Sequence, residues 1–222
     1  MTTKLTYTIS TLLIFGVLLA FSMPAAGATG DPVLINELLA SHSDTDDTEF
    51  VELYGTPGDP LNGLSLIVVE GDAFDPGRID RRFDFKPFHK IGPNGYFLYG
   101  NCSGLDDNYN VTPDASLFNN YFENSSFTLA LVETSSLSGG QGDLISGSEK
   151  VLDAVSLKDP DADEDGDQFF FGAPVIGPVT SFFPDGDGRL DDGVDTGWVG
   201  DWGFAELFLP GDRCGSGGGV GG

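Results

Sequence analysis

Apolar residues in this chain recur in short runs, four to eight long, broken by Gly, Pro, Asp and Asn. That spacing predicts strands and turns. The runs fall at 33–40, 49–54, 64–70, 78–85, 96–99, 127–133 and 151–157, with shorter candidates at 169–171, 179–183 and 204–209. Leu66-Ile67-Val68-Val69 is nearly continuous, as expected of a central strand covered on both faces. Residues 78–85 alternate, with Ile79, Arg81, Phe83 and Phe85 on one side and Arg78, Asp80, Arg82 and Asp84 on the other, which predicts an edge strand with a charged face. The segment 101–116 reads as loop, and 117–124 is the only weak helix candidate. Eight or nine strands with short turns predict an all-β sandwich. Most of the 18 Phe residues then belong to its core.

The N-terminus changes the picture of where the chain works. Lys4, an apolar stretch from Leu12 to Phe21 and the small residues Ala26-Gly27-Ala28 have the layout of a secretory signal, expected to be cut after Ala28. The expected organisation is a signal peptide at 1–28, one sandwich domain at 29–211 and a Gly-rich disordered tail at 212–222. Export leads to a secreted, cell-surface or periplasmic location without a transmembrane span. Cys102 and Cys214 are then free to form one disulfide or to stay as two thiols. Asn101, Asn110 and Asn124 each open an Asn-x-Ser/Thr acceptor pattern and mark surface loops.

The formal charge is −25, from 35 acidic and 10 basic residues. Such a surface repels phosphate backbones and makes nucleic acid a poor partner, which is not expected here. Five of the basic residues, Arg78, Arg81, Arg82, Lys86 and Lys90, form an island. It is read either as a dock for an acidic partner or as local neutralisation of Asp75, Asp80 and Asp84.

Asp161, Asp163, Asp165 and Asp167 alternate around Gly166, as in the first half of an EF-hand calcium loop. Gly172 stands where that loop carries its bidentate Glu, so the cluster is read either as a calcium site completed from elsewhere or as a solvated loop. Asp185, Asp187 and Asp191 form a second, weaker calcium candidate, which Asp-Gly turn chemistry also explains. Asp44, Asp46 and Asp47 form a third acidic loop. Glu37, Glu49 and Glu52 would suit acid–base chemistry as a carboxylate pair, but strand-end hydrogen bonding or pairing with Arg81, Arg82 or Lys86 is the expected role. His42 and His89 lack metal-ligand spacing, and no Gly-x-Ser-x-Gly, phosphate-loop or His-Glu-x-x-His motif occurs. Trp198 and Trp202 are expected either to lid the sandwich or to stack on a sugar or protein.

In order along the chain, Asn36-Glu37, Glu49-Phe50-Val51-Glu52-Leu53, Leu61-Asn62-Gly63, the turn 92–95 before Tyr96-Phe97, Leu129-Ala130-Leu131, Val151-Leu152-Asp153-Ala154-Val155, Pro184-Asp185-Gly186 with Asp195-Thr196, and Pro210-Gly211 resemble the pattern of lamin-tail domains. The resemblance covers about 33–211. It implies an immunoglobulin-like β-sandwich, here with long loop insertions, most of all at 71–90, 101–122 and 158–178. It also implies an exported, non-catalytic domain that attaches to protein, polysaccharide or cell-surface material, to which the acidic loops add calcium as an expected stiffener. The competing class is a metal-dependent secreted hydrolase or its accessory module.

Overall fold

The computed structural model describes residues 32–40, 48–122, 125–159, 166–177 and 186–204. They form an all-β sandwich of two sheets. One has six strands in the order β11-β10-β1-β2-β5-β6, the other five in the order β4-β3-β7-β8-β9. The strands are β1 Leu34–Leu39, β2 Phe50–Tyr54, β3 Leu64–Glu70, β4 Ile79–Asp84, β5 Tyr96–Asn101, β6 Ala115–Leu117, β7 Phe127–Glu133, β8 Val151–Leu157, β9 Val175–Ile176, β10 Gly186–Arg189 and β11 Trp202–Phe204, with one helix, α1, at Cys102–Tyr109. Pairing is antiparallel except for β5–β6 and β8–β9.

Alternation sets the interior. Ile35, Leu38, Val51, Leu53, Phe97 and Tyr99 from the six-stranded sheet meet Leu66, Val68, Leu129, Leu131, Val155 and Leu157 from the other. Each such fully buried side chain contributes roughly 1.5–3 kcal/mol. The central strand β3 is covered on both sides, as its continuous apolar run predicts. Its outward Ile67 and Val69 join Ala130 and Val132 beneath Leu137, Ile145, Phe170 and Phe171.

Four local expectations are corrected. The segment read as loop contains α1, because the buried Asn101 side chain caps it through Gly104 N–H (3.1 Å) and Leu105 drops onto Leu39, Phe50 and Leu98. Residues 117–122 are not helical. Leu117 ends β6, and the Tyr121 and Phe122 N–H groups donate to the Glu49 carboxylate at 2.5 and 2.9 Å. In the edge strand β4 the pairing slips where Val68 faces Arg81 and Val69 faces Ile79. That bulge sends Ile79 to the outer cluster while Phe83 and Phe85 stay with the inner one. Phe169-Phe170-Phe171 forms no strand; Phe171 adopts φ 62° and the chain turns into β9.

The three arginines of the basic island are paired locally, as Arg78–Asp75, Arg81–Asp80 and Arg82–Asp84. Among the described residues, no helix is long and apolar enough to cross a membrane. The expected signal segment 1–28, the candidate strand 179–183 and the expected tail 212–222 lie outside them.

Candidate functional site

The outer face of the six-stranded sheet is divided. Its β6 side carries α1. On the other side a bulge in β1 builds a polar site. Ile35 pairs with Leu53 and Glu37 with Glu52, so Asn36 is the extra residue. The bulge keeps both Ile35 and Leu38 in the core and leaves Asn36 and Glu37 together on the outer surface. Glu52 and the paired Tyr54 and Tyr96 lie beside them, the two rings edge to face at 5.3 Å.

The loop joining β10 to β11 docks on this surface. The Asn36 amide donates to Glu52 Oε1 and to Asp192 Oδ1, both at 3.0 Å, and its Oδ1 accepts Gly193 N–H at 3.2 Å. The Tyr96 hydroxyl donates to Asp192 Oδ2 at 2.5 Å. Gly193 has φ +71°, and a Cβ there would stand 2.3 Å from the Tyr54 ring, so only glycine permits this close approach.

Three carboxylates therefore share a site whose hydrogen-bond donors are an amide and a phenol. Burial, then the nearby charges of Glu52 and Asp192, pushes Glu37 up to about 8. Glu52 rises to about 7, chiefly through burial and against the Asn36 hydrogen bond. Burial and the bond to Asp192 also raise Tyr96. Glu37 is 7% exposed and its Oε1 has no hydrogen-bond partner. Such an atom is costly to bury ionised, so at neutral pH the pair holds a proton.

On the opposite side of the same strands, Arg189 closes the sandwich. Its Nη2 donates to Asp153 Oδ2 of β8 at 2.7 Å, Nε to the Ile35 carbonyl at 2.8 Å and Nη1 to the Val194 carbonyl at 2.9 Å. Asp153 also accepts the Ile35 N–H at 2.8 Å. The bulge leaves the Ile35 backbone groups for these two side chains to satisfy. Trp202 is buried against the Arg189 guanidinium, 4.8 Å from ring centre to Cζ.

The loop carries exposed apolar residues near its two ends, where it leaves β10 and enters β11. Leu190 is 68% and Trp198 67% exposed, with Val194 and Val199 also exposed. Asp191, Asp192 and Asp195 are exposed between them. The two tryptophans thus divide, one a core residue and the other on the surface.

The calcium candidates fare differently. Asp161, Asp163, Asp165 and Asp185 lie outside the described residues, as do Asp44, Asp46 and Asp47. Asp167 accepts the Ser126 hydroxyl at 2.5 Å beside β7. Asp187 points into the core next to Leu38, where burial raises it to about 7. Asp191 is exposed on the following turn, so Asp187 and Asp191 present their carboxylates to different surroundings. Among the described residues no three His, Cys, Asp or Glu side chains are disposed to hold a metal ion. At Glu52 and Asp192, the Asn36 amide nitrogen stands where a hard cation would need oxygen.

Neither Glu37 nor Glu52 pairs with the basic island, whose arginines are taken by their own aspartates. Glu49 does bond at the strand end, to backbone. Cys102 is disulfide-bonded, and Cys214 lies outside the described residues. Asn101 is 2% exposed, which corrects its reading as a surface marker; Asn110 is exposed, and Asn124 falls outside. His89 stacks among Phe83, Phe88 and Phe97 with its Nδ1 accepting the Lys86 N–H.

No protein-family model matches this chain, and neither the curated proteins nor the solved structures give a match.

Proposed function

We propose that this chain is an exported, non-catalytic attachment domain of the lamin-tail kind, an immunoglobulin-like sandwich that binds through the loop between β10 and β11. The reading rests on one observation above others: Leu190 and Trp198 both stand exposed on the one loop between β10 and β11, among exposed aspartates. Exposed aromatic and aliphatic anchors within a charged rim are what protein contacts use. The acidic rim selects a partner surface that is apolar at its centre and basic around it. The net charge of −25 works against a second copy of the chain as that partner.

Calcium at Asp161, Asp163, Asp165 and Asp167 belongs to the same proposal, as a loop stiffener. A ligand that binds only the folded state raises the unfolding midpoint. An unchanged midpoint in millimolar calcium, for the parent and for Asp163→Ala alike, removes the metal from the scheme.

Binding is tested with the intact exported chain against immobilised basic proteins and a glycan array, beside Trp198→Ala. The expected result is retention on basic protein that weakens with salt and is lost in the variant. Equal retention of parent and variant, or binding to glycans alone, overturns the proposed contact.

A further inference from the structure

The loop between β10 and β11 meets the sheet through a set of groups with no cation among them. From β1 come Glu37 and Asn36, from β2 Glu52 and Tyr54, from β5 Tyr96, and from the loop Asp192. The guanidinium of Arg189, at the end of β10, is turned into the core and is engaged by Asp153, Asp195 and the Ile35 and Val194 carbonyls. We propose that Glu37 and Glu52 form a proton-operated latch, which holds residues 191–193 on the sheet when protonated and releases them when both carboxylates ionise.

Geometry decides which part moves. Glu37 and Glu52 sit on neighbouring strands locked by the backbone ladder of β1 and β2. Asp192 is held from the sheet by the Asn36 amide and the Tyr96 hydroxyl. The segment after it is tied down separately, where Arg189 takes the Val194 carbonyl and the Asp195 carboxylate. Repulsion among three carboxylates is therefore relieved at least cost by lifting 191–193 between two fixed points, Arg189 and Val194. Asn36 cannot compensate, because its amide already serves two of the carboxylates and its oxygen receives Gly193.

The direction of the switch follows from burial. Carboxyls in this setting stay protonated well above their ordinary range, so the latched form prevails in weak acid and opens toward alkaline pH. The latch stands on the outer sheet face alone. Only its bearing on partner contact, through the adjoining Leu190, Val194 and Trp198, rests on the binding role proposed above.

Hydrogen exchange of the intact chain, read residue by residue by NMR and corrected for the intrinsic pH dependence of exchange, tests it without any partner. Protection at Gly193 is expected to fall at least about tenfold between roughly pH 5.5 and pH 9, while β3 and β7 amides hold theirs. The double variant Glu37→Gln, Glu52→Gln mimics the neutral acids and is expected to keep Gly193 protected throughout. Tyr96→Phe is expected to lower protection at every pH. Unchanged Gly193 protection across the range, or an equal fall in the double Gln variant, overturns the latch. A search that finds no partner leaves this readout intact.

Discussion

Arg189 on β10 and Asp153 on β8 join the two sheets through a 2.7 Å contact whose side chains are 1% and 4% exposed. Between them they also satisfy both backbone groups of Ile35 in β1. Removing one partner strands a buried charge and orphans a backbone group. Asp153→Ala is expected to destabilise the fold by about 3–5 kcal/mol, measured by denaturant unfolding. A loss below about 1 kcal/mol would show that the pair behaves as a surface bridge.

Asp187 gives the acid counterpart of this arrangement, a buried carboxyl with Oδ2 unpartnered. Its folded pKa of about 7 lies above the ordinary carboxyl value of 3.8, so the native state binds the extra proton. Its contribution is present in acid and is lost as pH rises between those values. Asp187→Asn is expected to leave stability nearly unchanged near pH 4 and to raise it by roughly 1–2 kcal/mol near pH 8. Thermal unfolding at both pH values checks the sign; a variant less stable at pH 8 than the parent contradicts it.

Gly193 carries a narrower demand. A methyl group there meets the Tyr54 ring and a positive φ at once. Gly193→Ala is expected to loosen residues 191–193 with a global loss of no more than about 1–2 kcal/mol. Faster exchange confined to this loop is the expected signature, and a cooperative collapse of the whole sandwich is the contrary one.

Asn101 closes the start of α1 and also donates to Asn119 Oδ1. Asn101→Ala removes the cap and leaves buried groups unmatched, an expected cost of about 1–3 kcal/mol in equilibrium unfolding. A neutral result would mean that α1 does not depend on its cap.

The interior of this fold is open to reading from the chain because it depends on alternation. Val51, Leu53, Phe97 and Tyr99 fall in phase, and the unbroken Leu66–Val69 run marks the strand covered twice. What escaped such reading depends on single residues whose partners are distant. Among the described side chains of helix α1, Leu105 is the core anchor, and the helix cap resembles a loop residue. Strand β10 is spelled Gly-Asp-Gly-Arg, which reads as a turn until β1 supplies its ladder and Asp153 receives its arginine. The bulges of β1 and β4 shift phase by one residue and leave no mark in composition. The polar site was half visible. Glu37 and Glu52 stand out as acids within apolar strands, but Asp192 and Tyr96 reach them from 156 and 44 residues beyond Asn36 and Glu52, respectively, a closeness that only the sheet order creates.

The cap of α1 bears on how this chain can be made. A glycan-transferring enzyme needs the amide of Asn101 in water, and the folded chain keeps that amide inside, bonded to Asn119. Sugar attachment at Asn101 and the closed lid over Leu39, Phe50 and Leu98 are therefore alternatives. A secretion host that decorates nascent chains would trap a fraction of its product without that lid, and material for physical work is better produced where such enzymes are absent.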